Sequence, residues 1–164
     1  MPKISFDAMP DSARVWVFGA AAPVTGAAAD TMLAAVDEHL AQWKAHGVPL
    51  VCARDWRDDR FLAIAVDEAA TDASGCSIDG LFRVLSQIDG VVGTSMVDGG
   101  IVHWRDTSGA VHSAPRAEFR RAASAGEVSA STLVFDTTAS SVQDWREEFE
   151  RPASESWHRR LLTA

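Results

Sequence analysis

A thiol among small polar residues lies between a predicted strand and a predicted helix, where residues 74–79 read Ser-Gly-Cys-Ser-Ile-Asp. A cysteine at a helix start is close to unpaired backbone N–H groups and to the positive end of the helix dipole, which favour the thiolate. The thiolate is the form that does nucleophilic and redox chemistry. Cys76 is therefore the candidate catalytic residue, and Asp79, expected in the first turn of that helix, is grouped with it.

The residues around Cys76 also suggest an anion site. Ser74, Gly75 and Ser77 offer hydroxyl and backbone N–H groups that are able to cradle a small oxyanion. The alternative is structural: a serine caps the helix, the glycine permits a turn and the cysteine packs as a small apolar residue. We favour the structural interpretation, because no complete catalytic set accompanies the thiol.

A cysteine nucleophile also needs a base. His46 and His158 are the candidates, since each follows a tryptophan-bearing segment, although the sequence places neither of them near Cys76. Trp43 is the aromatic candidate for ligand binding. On one predicted helix, His39 and His46 are separated by about 10 Å of rise along the axis, too far for both to bind one metal ion.

Two further histidines lie on a predicted hairpin. Pairing Trp104 with Val111 on the apolar face would place His103 opposite His112 on the other face, close enough to share a metal ion. No third ligand accompanies them in the sequence, so two solvated histidines are the favoured interpretation. We predict no metal and no cofactor.

Length and charge limit the function classes. A chain of 164 residues is expected to form one domain, here 1–164, and to bury about 70% of the surface that the unfolded chain exposes. The formal net charge of −8 argues against nucleic-acid binding through a broad cationic surface. No segment approaches the roughly 18 apolar residues of a membrane span, and no secretory signal is recognisable, so we expect a cytoplasmic protein.

Local groups of arginines are the exception to this acidic character. Arg116, Arg120 and Arg121 lie on one predicted helix, and Arg159 and Arg160 lie on another. The favoured interpretation is that they form solvated helix faces, and the alternative is a local cationic surface.

Hydrophobic periodicity and turn residues divide the chain into alternating elements. Strands are predicted over 14–18, 50–57, 60–66, 101–105, 110–113 and 132–136. Helices are predicted over about 30–46 and 78–88, from 115 onward, and over 141–149 and 154–162. Asp58-Asp59 is predicted to be a tight turn that sets Val51 opposite Val66.

The first six predicted elements run β-α-β-β-α-β, the order of the ferredoxin-like arrangement. A further strand, a helix, a last strand and a helical extension follow. We therefore predict an α+β two-layer sandwich whose helical extension either covers the sheet or packs at its edge. Such a fold hosts many unrelated activities and does not by itself select a function.

Several short segments together resemble a known family. They are Trp16-Val17-Phe18, the Trp-x-x-His-Gly-x-Pro-Leu pattern of residues 43–50, Arg60-Phe61, Val66-Asp67-Glu68, residues 74–79, Phe135-Asp136 and Ser156-Trp157. The chain resembles an uncharacterised bacterial family whose members of similar size are often labelled "ABC transporter ATPase". The resemblance implies a shared fold over most of the chain and a shared site around Cys76, without naming a reaction.

The ATPase label conflicts with the sequence. A transporter ATPase binds phosphate with a glycine-rich loop that ends in Gly-Lys-Ser/Thr. Lys3 and Lys44 are the only lysines, and neither lies in such a loop. We therefore predict a non-catalytic binding or adaptor domain for an unknown protein or a small anionic ligand. The alternative is a thiol-dependent enzyme or redox protein that uses Cys76.

Overall fold

The computed structural model describes residues 4–69, 75–96 and 100–163, and of residues 75–77 it describes the backbone alone. The strands, numbered in chain order, are β1 (Arg14–Gly19), β2 (Lys44–Ala45), β3 (Val48–Pro49), β4 (Cys52–Arg57), β5 (Phe61–Val66), β6 (Ile101–Arg105), β7 (Val111–Pro115), β8 (Leu133–Phe135) and β9 (Glu150–Pro152). The α-helices are α1 (Gly26–Ala41), α2 (Gly75–Val92), α3 (Arg116–Ser124) and α4 (Val142–Glu147). Short 3-10 turns cover Phe6–Ala8, Ala153–Glu155 and Trp157–Leu161.

The described strands form three antiparallel sheets. The first sheet has the order β1-β5-β4, the second is the two-stranded pair β2-β3, and the third has the order β7-β6-β8-β9. The protein is therefore of the α+β class, as the sequence predicts. The ferredoxin-like order is not confirmed, because β6 pairs with β7 and β8 instead of joining the sheet of β1.

Strand β5 is the centre of the first sheet, and all six of its residues are buried. Leu62 and Ile64 pack with the inner faces of α1 and α2. Phe61 and Ala63, on the opposite face, pack with Trp145 of α4 and its neighbours. The C-terminal part of the chain thus covers the second face of this sheet, so the sheet lies between two layers and the predicted two-layer sandwich is too simple.

The hairpin between β4 and β5 is shifted by one residue from its predicted register. Cys52, not Val51, lies opposite Val66. Asp58 and Asp59 both adopt a φ of 55°, which is the geometry of a type I′ turn. Arg60 is an additional turn residue before β5, and this extra residue moves every pair by one position.

The Trp-x-x-His-Gly-x-Pro-Leu segment forms a small hairpin that the sequence analysis missed. Helix α1 ends at Ala41, so His46 does not lie on it as predicted. His46 and Gly47 adopt φ values of 52° and 80° and form a two-residue I′ turn between β2 and β3. The backbone N–H of Leu50 donates to the carbonyl of Trp43 at 3.0 Å, which closes the hairpin.

The third sheet has its own core. Trp104 of β6 and Phe119 of α3 make an edge contact with ring centroids 5.1 Å apart, and Val134 of β8 and Leu161 pack into the same cluster. Strand β9 was not predicted; it extends the sheet by pairing with β8. The predicted final helix is instead a pair of 3-10 turns.

The first and third sheets meet at His103 of β6, which is 2% exposed. Its ring makes an edge contact with Phe61 at 5.0 Å, and its Nδ1 lies 2.7 Å from the Ser113 hydroxyl. Arg60 donates to the same hydroxyl at 2.6 Å. On the other side, a Cβ atom at Gly19 would lie 2.6 Å from His103 Nε2, so only glycine allows this approach.

None of the helices that the structure describes has both the length and the apolar composition needed to cross a bilayer.

Gly19→Ala should destabilise the protein by about 1–3 kcal/mol, because the added methyl group would overlap the His103 ring. Phe61 and Ser113 prevent this ring from moving away. Urea unfolding followed by tryptophan fluorescence measures this change. Gly90→Ala is the matched control, because Gly90 lies inside α2 and no described atom beyond its chain neighbours and the backbone of this helix is within 4 Å of an added Cβ. This substitution should raise the free energy of unfolding by about 0.5–1 kcal/mol. Equal stability of Gly19→Ala and the native protein would contradict the close approach.

Candidate functional site

Most of the predicted Cys76 site lies outside the part of the chain that the structure describes. Ser74 lies outside the described residues, and the side chains of Gly75, Cys76 and Ser77 are not described. The backbone of residues 75–77 forms the first turn of α2, so the helix begins about three residues before the predicted range of 78–88. Asp79 is exposed, and because the helix begins at Gly75 it lies in the second turn rather than in the predicted first turn.

The two predicted bases belong to different parts of the fold. His46 is exposed at the tip of the β2-β3 hairpin. His158 is 1% exposed in the last 3-10 turn, where its Nδ1 lies 2.6 Å from the Ser156 hydroxyl. Burial lowers the pKa of His158 to about 4, so its ring is neutral at pH 7.

The predicted pairing of His103 with His112 is wrong. His103 lies opposite Ser113, and His112 lies opposite Trp104. The two imidazoles therefore point to opposite faces of the sheet, and His112 instead contacts Asp106, with 2.7 Å between Nε2 and Oδ2. Over residues 4–69, 75–96 and 100–163, no three His, Cys, Asp or Glu side chains form a group able to hold a metal ion.

A groove of about 560 Å³ runs between α1 and α2. Its apolar wall consists of Ala35, Trp43, Val84 and Ile88, and its polar lining consists of Glu38, His39, Gln42, Lys44 and Gln87. The predicted ligand-binding residue Trp43 is thus part of it, although only 3% of its surface is exposed. Grooves of roughly 300–1,000 Å³ with an apolar wall and a few polar groups are typical of small-molecule sites.

His39 is the distinctive polar group of this groove. Its Nε2 atom is buried and has no hydrogen-bond partner in the described part of the chain. The ring lies 5.7 Å from the Trp43 ring, and its Cε1 would be 3.5 Å from a Cβ atom at Gly80 of α2. Burial lowers the pKa of His39, which favours the neutral ring.

The local fold explains why these groups meet. His39 is in the last turn of α1. Trp43 follows the end of this helix, where its backbone N–H donates to the Leu40 carbonyl. Gly80 has no side chain, so α2 leaves room for the imidazole. The sequence alone indicates His39 only as a possible metal ligand, because its spacing from Trp43 is visible there but the approach of Gly80 is not.

Among the residues that line the groove in the described part of the chain, no Ser, Thr or Cys side chain accompanies His39. A buried polar atom without a partner is costly, and such atoms are usually satisfied by water or a ligand. In the neutral imidazole Nε2 is either a donor or an acceptor, depending on the tautomer. The Nε2 atom therefore offers one hydrogen bond beside the apolar wall, in addition to the exposed polar side chains of Glu38, Gln42, Lys44 and Gln87.

Comparison of the chain with protein-family models, with curated proteins and with solved structures gave no match.

The buried histidines make stability depend on pH. The pKa of His103 is lowered to about 4, first by burial and then by the positive charge of Arg60 and that of His158 when it is protonated. Burial lowers the pKa of His158 to about 4 as well. The ordinary pKa of histidine is about 6.5, so below this pH the two side chains bind protons in the unfolded chain but not in the folded chain. The free energy of unfolding that depends on them is therefore fully present above about pH 6.5 and is lost as the pH falls towards about 4. Each histidine contributes a loss of up to about 1.4 kcal/mol per pH unit in that window.

Urea unfolding between pH 7 and pH 4.5 measures this loss. His158→Phe should flatten the pH dependence, because it removes one of the two histidines whose pKa in the folded protein is about 4. His46→Gln, at an exposed position, should leave it unchanged. A stability that is constant over this range, or an unaltered slope in His158→Phe, would show that the histidines are not buried in the neutral form.

Proposed function

We propose that this protein is a non-catalytic binding domain, and that its site is the groove between α1 and α2. The observation that carries the proposal is the buried Nε2 atom of His39, which has no partner in the described part of the chain. Leaving such an atom unpaired costs about 1–3 kcal/mol, whereas an apolar side chain at the same position would cost nothing of this kind. Because His39 lines the groove, a ligand that reaches this atom supplies the partner that the fold does not.

The lining selects the chemistry of the ligand. Val84, Ile88 and the exposed 3% of Trp43 offer a ligand an apolar wall, and His39 offers it one hydrogen bond. Glu38 and Lys44 supply opposite charges, so the groove does not favour a strongly charged molecule. A small, largely apolar molecule with one amide, hydroxyl or carboxylate group meets these conditions.

Benzamide, benzoate and 4-methylphenol are suitable probes, because they share a flat ring and differ in the polar group. At least one should bind with a Kd of about 1 mM or tighter, as measured by ¹H–¹⁵N NMR titration, with the largest shifts at His39 and at the Trp43 indole. His39→Leu should weaken that binding about tenfold, since the hydrogen bond is lost. The same variant should be as stable as the native protein or more stable, because no polar atom is left unpaired.

His46→Leu is the matched control for this experiment. It makes the same change at an exposed position on the neighbouring hairpin and should bind the probes as the native protein does. Failure of all three probes to bind, or equal affinity of His39→Leu and the native protein, would refute the groove as the site.

A thiol-dependent enzyme or redox protein that uses Cys76 is the second candidate. It is supported by the position of residue 76 in the first turn of α2. Residue 80 follows one turn later on the same face of the helix, and the His39 ring lies against Gly80. His39 is therefore a better candidate base than His46 or His158.

Alkylation of the two cysteines separates the two functions. Under the binding proposal Cys76 should follow an ordinary thiol, with half-maximal reactivity near pH 8.5. Cys52 should react much more slowly, because it is fully buried and its thiol donates to the Leu40 carbonyl. Rapid labelling of Cys76 at pH 6–7, read by mass spectrometry and lost when the protein is unfolded, would favour the thiol enzyme instead.

The family and the compartment stay predictions. We propose that the chain shares its fold with the uncharacterised bacterial family that its sequence resembles, and that the "ABC transporter ATPase" label does not describe its activity. We also propose a cytoplasmic location.

A further inference from the structure

Most arginines of this acidic chain are neutralised by carboxylates. Ion pairs engage Arg14, Arg54, Arg57, Arg105, Arg121, Arg146 and Arg151. Arg60 instead donates to Ser113 and to backbone carbonyls. In the described part of the chain, no ion pair engages Arg83 or any of the exposed arginines Arg116, Arg120, Arg159 and Arg160.

The last four of these arginines lie on two elements that pack together. Helix α3 carries Arg116 and Arg120, and the 3-10 turn Trp157–Leu161 carries the other two. Phe119 of α3 and Leu161 of the turn share one core. The fold thus brings together two arginine groups that the sequence keeps far apart.

Arg120 and Arg160 line a common pocket of about 420 Å³. Its other lining residues are Ser124, Leu161, Leu162 and Thr163, so the lining includes two hydroxyl groups and no acidic side chain. The guanidinium of Arg116 lies nearby on the same surface, 5.3 Å from the centre of the Trp157 ring, which holds it in place. This surface is cationic on a protein whose formal net charge is −8.

We propose that the pocket between Arg120 and Arg160 binds the phosphate group of a small phosphate monoester. The planar guanidinium group presents paired N–H donors that match phosphate oxygens. The hydroxyl of Ser124 supplies a further donor to the same anion, whereas the Thr163 hydroxyl donates to the Arg160 carbonyl at 3.4 Å. The pocket has room for one phosphate group and a short apolar body against Leu161 and Leu162, which favours a small monoester over a long polyanion.

Phenyl phosphate is the probe, and ¹H–¹⁵N NMR titration in low salt measures its binding. The native protein should bind it saturably with a Kd of about 1 mM or tighter, with shifts at residues 120, 124 and 160–163. Arg120→Gln and Arg160→Gln should each weaken binding, and the double variant should weaken it about tenfold or more. Binding should also weaken as salt is added, because the interaction is between exposed charges.

Arg83→Gln is the matched control, since it removes an exposed arginine that has no ion pair in the described chain but lies on α2. It should bind phenyl phosphate as tightly as the native protein, and circular dichroism should show that all variants are folded. Equal weakening by Arg83→Gln, unchanged binding by the double variant, or no saturable binding would overturn the proposal. Tighter binding of a single-stranded oligonucleotide than of phenyl phosphate would overturn the small-ligand assignment.

Discussion

The structure depends on the contact between His103 and the backbone of Gly19, where the first and third sheets meet. The imidazole occupies the space that a side chain at position 19 would need, and Phe61 and Ser113 fix the ring. Because Arg60 can only donate to the Ser113 hydroxyl, that hydroxyl can in turn donate to Nδ1 of a neutral imidazole. The low pKa of His103 agrees with this arrangement, which holds Arg60 by neutral acceptors rather than by a carboxylate.

The first sheet also fixes the groove between α1 and α2. Both helices pack on the face of β5 that carries Leu62 and Ile64. The guanidinium of Arg54 in β4 also donates to both carboxylate oxygens of Asp37 in α1, from Nε to Oδ1 at 2.7 Å and from Nη2 to Oδ2 at 3.0 Å. A helix held by its apolar face and by a paired ion bridge keeps its last turn, with His39, in a defined position. The groove is therefore formed before any ligand arrives, which lowers the entropic cost of binding.

Much of the fold could be predicted from the sequence, because apolar spacing and turn residues mark most elements. The errors came where local turn geometry decided the result. Arg60 became an extra turn residue and shifted the β4-β5 pairing, and a similar shift separated His103 from His112. The candidate site was harder to predict, since His39 gains its importance from Gly80, and nothing in the sequence indicates that two positions so far apart will touch.

The most direct test of the binding account is a long-range ¹H–¹⁵N NMR spectrum of the histidine rings at pH 7, recorded with and without a bound probe such as benzamide. If the groove between α1 and α2 is the binding site, His39 should be neutral in both states. Its Nε2 resonance should move on binding, as expected when an unpaired nitrogen gains a hydrogen bond. The resonances of His46 should stay where they are. A protonated His39, or an Nε2 resonance that does not change when the probe binds, would contradict the central claim.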